Sequence, residues 1–185
     1  MTEKKKVLAI CGSTKKTSLN LSLINALAEI TKEQLHTEIF AGTDSLPHFN
    51  PELDNDTPPQ AVVDFRNRLK EADGILICTP EYAMGVPGTL KNAIDWTVSS
   101  AEFYRKPVAL VTASTLGHKG HQALMETLKI IGSNITDDTQ LVISAIKTKV
   151  TNDNKIIDTE TYSSVTKLMS AFEALLNNDR KLNII

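Results

Sequence analysis

Short continuous apolar runs take turns along this chain with segments whose apolar residues recur at helical spacing, and this alternation restricts the fold more than any other feature. The runs cover residues 7–11, 37–41, 74–79, 108–113 and 141–146. A run that is apolar at every position suits a strand covered on both faces. Between and after the runs lie helical patterns: Leu21, Ile24, Leu27 and Ala28; Val62, Phe65 and Leu69; Leu90, Ala93, Ile94 and Val98; Ala123, Leu124, Leu128 and Ile131; then Val165, Leu168, Met169, Phe172 and Leu176. Ser18 is placed to cap the first helix, Pro58 and Pro59 open the second, and Pro87 stands near the first turn of the third. Five strand–helix alternations predict an α/β fold: a parallel sheet with helices on both faces. Ligands of such sheets bind beyond the carboxyl ends of the strands, where the winding reverses. The loops that follow the strands are therefore where function is sought.

A chain of 185 residues is long enough to bury a core without metal or disulfide staples, and residues 1–185 are read as one domain. The net charge of −2 announces no basic face, so nucleic acid is not an expected partner. No apolar stretch is long enough to cross a membrane. The lysines and apolar run at the start resemble a secretion signal, but the run stops at Cys11, too soon for one. A cytoplasmic protein is expected. The two cysteines, Cys11 and Cys78, lie inside apolar runs and read as small buried hydrophobes. No residue spacing suggests a metal site.

The first loop runs Gly12-Ser13-Thr14-Lys15-Lys16-Thr17-Ser18-Leu19-Asn20. Backbone amides at a helix start favour an anion, and hydroxyls and lysines add donors to it. An ordinary polar turn with solvated lysines is the alternative. A Walker A loop would need a second glycine and then lysine where Thr17 and Ser18 stand. A dinucleotide fingerprint would need three glycines, and only Gly12 is present. A phosphatase built on Cys11 would need an arginine at Thr17.

The second loop runs Pro80-Glu81-Tyr82-Ala83-Met84-Gly85-Val86-Pro87-Gly88-Thr89-Leu90-Lys91-Asn92-Ala93-Ile94-Asp95-Trp96. Pro80 ends the strand. Tyr82 and Met84 offer apolar surface to a flat ring, and Gly85 and Gly88 permit close backbone approach. Tyr82 as a plain surface aromatic and Glu81 as a solvated carboxylate are the plainer readings. Leu90, Ile94 and Trp96 read as core or subunit-contact residues.

This second loop resembles the signature of the NADPH-dependent FMN reductase family, Pro-Glu-Tyr-Asn followed by Pro-Gly-x-Leu-Lys-Asn-Ala-Ile-Asp-Trp. Weaker likenesses support it. Residues 12–20 resemble the family's phosphate loop, with Lys15 where arginine is common. Residues 46–50 and 114–120 resemble its loops after the second and fourth strands. The resemblance implies a flavodoxin-like, doubly wound, five-stranded parallel sheet in the order 2-1-3-4-5. It implies FMN as cofactor, held by Ser13, Thr14, Lys15, Ser18, Leu19, Asn20, Pro80, Glu81, Tyr82, Ala83, Met84, Ser114 and Gly117. NADPH or NADH would serve as electron donor. A small acceptor such as a quinone, flavin, azo dye or metal oxyanion would follow at the same ring face, giving ping-pong kinetics. A homodimer or homotetramer is also implied. Ala83 departs from the family's asparagine and is expected to remove one polar contact near the ring; His121 stands where a small residue is common. His118 and His121 are expected to be exposed loop residues. No catalytic acid or base is nominated. The competing functions are a flavodoxin-like electron carrier, which its modest charge disfavours, and a phosphate binder without flavin.

Overall fold

The computed structural model describes residues 4–182. The strands are β1 (Lys5–Cys11), β2 (Leu35–Phe40), β3 (Gly74–Thr79), β4 (Val108–Ala113) and β5 (Gln140–Ile143). The helices are α1 (Leu19–Ile30), α2 (Gln60–Glu71), α3 (Gly88–Asp95), α4 (His118–Ile130) and α5 (Thr159–Leu182). The strands form one parallel sheet in the order β2-β1-β3-β4-β5.

Strand periodicity divides the core in two. Val7, Ala9 and Cys11 point to one face, where Leu23, Ile24 and Leu27 of α1 pack with Val165, Leu168 and Phe172 of α5. Leu8 and Ile10 point to the other, against Val62, Phe65 and Leu69 of α2, Leu90 and Ile94 of α3, and Leu124 and Leu128 of α4. With helices on both faces, every residue of β3 and of β4 is buried, which is why those strands read as continuous apolar runs. β3 and β4 fall where the sequence puts them.

β1 begins two residues earlier than its apolar run, at Lys5, and α4 ends at Ile130 with Ile131 as its cap; three further boundaries differ, each for a local reason. Edge strand β2 starts at Leu35 and ends at Phe40, and exposed His36 and Glu38 break its apolar pattern. β5 stops at Ile143, because Ala145 turns into the left-handed region (φ 54°) and its N–H donates to the Thr115 carbonyl (3.1 Å). α3 stops at Asp95, leaving Val98 outside it and exposed. The Trp96 carbonyl that would continue the helix accepts from Arg66 Nε at 2.7 Å instead.

The pattern of winding positions the site. After β1 the chain leaves through α1 on one face; after β3 it leaves through α3 on the opposite face. β1 and β3 are neighbours, with Cys11 beside Cys78. The two chains therefore diverge at adjacent strand ends and open a crevice between them.

Phe65 is fully buried on α2 and stacks on Phe40 with ring centroids 4.7 Å apart. Phe65→Ala should lower the unfolding free energy by roughly 3–5 kcal/mol, read as a drop in urea midpoint. A loss under about 1 kcal/mol would show that the α2 face is not the packed core described.

Candidate functional site

The loop after β1 is built around a close backbone approach. The Gly12 N–H donates to the Cys78 carbonyl at 2.9 Å. A Cβ at Gly12 would lie 2.3 Å from Thr79 Oγ1, so only glycine fits. Ser18 caps α1, its hydroxyl accepting from the Asn20 N–H at 3.2 Å. No acidic side chain stands in the first turn of α1. Among the described residues, the backbone N–H groups of Ser13, Thr14, Lys16 and Thr17 donate to no other group of the chain; that of Lys15 makes a long bond of 3.4 Å to Ser13 Oγ. Thr14, Lys15 and Lys16 are exposed, while Ser13 and Ser18 are buried. Leu19 is half-buried against the α1 core.

The side chain of Asn20 is engaged within the protein. It is buried, and its Nδ2 donates to the Ala113 carbonyl (3.1 Å) while its Oδ1 accepts from the Cys78 thiol (3.3 Å). Its side chain thus ties the start of α1 to the ends of β3 and β4. The thiols serve as donors. Burial pushes Cys78 well above the usual thiol range, and burial likewise raises Cys11, whose Sγ donates to the Ser13 carbonyl at 3.3 Å. Neither is a nucleophile in this setting.

After β3, Thr79 Oγ1 donates to the Pro80 carbonyl at 3.0 Å. Residues 82–85 then form a tight turn, with reciprocal backbone bonds between Tyr82 and Gly85, each 2.9 Å. Both central residues are left-handed, Ala83 at φ 49° and Met84 at φ 62°. Such turns favour asparagine and glycine, so two residues with side chains there store strain. The turn exposes Tyr82 by 54% and Met84 by 75%. Glu81 is not a solvated carboxylate: its Oε2 accepts from the Gly120 N–H at 2.7 Å, in the first turn of α4.

After β4, Ser114 Oγ donates to the Glu81 carbonyl at 3.4 Å, joining the third loop to the second. Gly117 adopts φ 100° and precedes α4; a Cβ there would press Val142 Cγ1 at 3.1 Å. Leu116 is 67% exposed.

Of the two histidines expected to be exposed loop residues, His118 is exposed but opens α4, and the expectation fails for His121 altogether. His121 is buried within α4. Its Nε2–H donates to Gln140 Oε1 (2.8 Å), leaving Nδ1 to accept from the Thr112 hydroxyl (2.9 Å). These bonds link β4, α4 and β5. Burial holds the imidazole below the usual histidine range, and the bond to Gln140 opposes that shift.

One arrangement carried no mechanism at the level of sequence. The Pro47 carbonyl accepts from Asn92 Nδ2 (3.0 Å) and Trp96 Nε1 (2.8 Å), while Asn92 Oδ1 accepts from the Phe49 N–H (2.7 Å). The Asn92 and Trp96 pair at i, i+4 on α3 thus pins the loop after β2. That spacing was its legible signal.

A flavin mononucleotide asks for backbone donors at its phosphate, glycines where the chain approaches it, and apolar surface beside its ring. Loops 12–19, 81–85 and 114–117 offer that donor set at neighbouring strand ends. The sequence profile described as NADPH-dependent FMN reductase matches residues 5–147. The chain belongs to that family. It is an oxidoreductase that works with FMN and a nicotinamide electron donor. Among relatives of this FMN reductase family member is the NADH-dependent flavin reductase subunit 2 of Lactobacillus johnsonii, 28% identical over 95% of this chain and 100% of the relative. The NAD(P)H:quinone oxidoreductase of Solanum tuberosum is 30% identical over 92% of both chains. The structure of the flavoenzyme NAD(P)H:(acceptor) oxidoreductase FerB from Paracoccus denitrificans superposes with a TM-score of 0.84 at 26% identity, covering 94% of this chain and 98% of that one. The fold is thus that of flavodoxin-like flavoenzymes.

Among the described residues no cluster of His, Cys, Asp and Glu could hold a metal ion, and no helix is long and apolar enough to cross a membrane. A groove lined by Lys6, His36, Glu38 and Arg68 lies at the other end of the sheet, where Arg68 pairs with Glu38 at 3.3 Å.

Two predictions come from this geometry. Ala83→Asn should be tolerated and should stabilise the fold by roughly 0.5–1 kcal/mol, because asparagine accepts the left-handed region more readily; a lowered melting temperature would contradict the strained turn. Folding also favours neutral His121. Its stabilisation is complete above about pH 6.5 and declines as the pH falls through that value toward the depressed folded-state pKa. His121→Asn should therefore cost most at pH above about 7, with the gap in melting temperature to wild type narrowing below about pH 6. A gap that widens on acidification would reverse the assignment.

Proposed function

We propose that the terminal phosphate of FMN lies in the 13–18 loop, that its ring lies beside the 81–85 turn and the 114–117 loop, and that the enzyme passes two electrons from NAD(P)H to quinone- or flavin-like acceptors. The observation that carries this reading is the set of undirected backbone N–H groups at the start of α1, in a loop without a carboxylate. Such groups with the helix dipole behind them select an anion.

Each residue then has a role in binding or orientation. The amides of Ser13, Thr14, Lys16 and Thr17 and the hydroxyls of Ser13 and Thr14 would hold the phosphate, with Lys15 supplying a mobile charge. Asn20 would fix this loop relative to Ala113, and so set the distance from phosphate to ring. Tyr82, Met84 and Leu116 would give the ring and its reaction partner an apolar rim. Pro80, Glu81, Ala83, Ser114 and Gly117 shape the backbone beside it. Bound FMN supplies the two-electron redox chemistry, and the protein supplies position and polarity. The named activities of the relatives support quinone and flavin as acceptors. One ring face used in turn by donor and acceptor gives ping-pong kinetics. A dimer or tetramer in the cytoplasm completes the reading.

The test is anaerobic titration of the purified, FMN-loaded protein with NAD(P)H, then addition of a benzoquinone. The reading expects the visible flavin bands to bleach on the first addition, return on the second, and give parallel double-reciprocal plots. A protein that takes up no FMN would overturn it; one that is bleached by chemical reductant but not by NAD(P)H would point to an electron carrier.

Ser18→Asp isolates the phosphate loop. Aspartate caps a helix as well as serine does, so α1 should survive. The added carboxylate at a buried position should weaken FMN binding by at least roughly tenfold, measured by flavin fluorescence quenching. Unchanged affinity would place the phosphate elsewhere.

A further inference from the structure

The 82–85 turn rests on the first turn of α4. Gly120 is the third residue of that helix, where a backbone N–H has no partner within the helix. The Glu81 carboxylate accepts it at 2.7 Å. A Cβ on Gly120 would stand 2.7 Å from the Gly85 carbonyl oxygen and 3.1 Å from Glu81 Cγ, so the turn's backbone lies directly on the helix. Beyond the reciprocal Tyr82–Gly85 bonds that close the turn, its tip is exposed: Ala83 and Met84 are left-handed and strained. A strained segment persists only where its surroundings over-determine it.

We infer that Glu81 and Gly120 are positioning residues, which clamp the Tyr82–Gly85 turn onto α4 and thereby set the height of Tyr82 and Met84 beside the crevice. Glu81 acts through the turn. Its carboxylate secures the helix amide, and the bare Cα of Gly120 leaves room for the Gly85 carbonyl. The clamp governs how an acceptor is received, while the phosphate loop retains the cofactor. This rests on the flavin reading of the site.

The first arm of the test needs no flavin. Amide hydrogen exchange of the FMN-free protein, read by NMR, should show Gly120 protected in the wild type. Glu81→Ala should speed its exchange by about tenfold, the loss of one charge-assisted bond. Unchanged exchange at Gly120 in Glu81→Ala would overturn the clamp. The second arm uses the FMN-loaded enzyme with a benzoquinone acceptor. Glu81→Ala and Gly120→Ala should each raise the acceptor KM roughly five- to tenfold with a smaller effect on kcat. Glu81→Gln, which keeps an accepting oxygen, should restore most of the loss. The double variant should be no worse than the poorer single, because both act on one turn.

Gly120→Ala discriminates further. Alanine favours a helix over glycine, so a merely helical position would gain stability. The clamp predicts a lowered melting temperature instead. KM effects that multiply in the double variant, or Glu81→Gln as impaired as Glu81→Ala, would overturn the inference. A wild type that binds no FMN would sink the flavin reading, and the exchange arm would still decide whether the clamp exists.

Discussion

The reversal of winding between β1 and β3 is the constraint on which the rest depends. Two neighbouring parallel strands end side by side at Cys11 and Cys78, and their chains then leave on opposite faces of the sheet. Backbone at that point cannot complete its hydrogen bonds with a neighbouring connection, because the connections diverge. Among the described residues, the N–H groups of Ser13, Thr14, Lys16 and Thr17 are left without an acceptor in the chain, at the start of α1 and its dipole. An anion is the natural partner of such a feature. The identity of the rest of the ligand is written in the two loops further along the sheet.

Those loops are coupled by a few polar bonds in an otherwise apolar setting. Asn20 reaches both Cys78 and the Ala113 carbonyl, so the start of α1 and the ends of β3 and β4 are tied together. His121 joins Thr112 to Gln140, and Glu81 joins its strand's loop to α4. Each of these groups is buried or half-buried and satisfied, which favours a single arrangement of the loops over several. Backbone strain is left to the exposed tip at Ala83 and Met84, where an incoming molecule would be met.

Much of the architecture was legible because burial on both faces leaves an unmistakable trace. β3 and β4 are apolar at nearly every position, and the helices between strands carry regular apolar spacing. β2 was shifted because an edge strand admits His36 and Glu38, and β5 because nothing in its composition marks the left-handed Ala145. Val98 was misplaced since the end of α3 is decided by Arg66, thirty residues earlier in the chain. At the site, Ser18 as a cap followed from local chemistry. Asn20, Glu81 and His121 did not, for the partners that fix their side chains are distant in sequence or lie across a loop. A residue type alone does not tell whether an amide or carboxylate faces a ligand or braces the loop that does.

The central claim is that backbone amides between Ser13 and Thr17 hold a phosphate. Comparing the affinities of the flavin-free protein for FMN and for riboflavin tests it most directly, since the two differ only in that group. With charge-assisted bonds contributing roughly 1.5–3 kcal/mol each, FMN should bind at least about a hundredfold more tightly in isothermal titration. Equal affinity for the two would contradict the account.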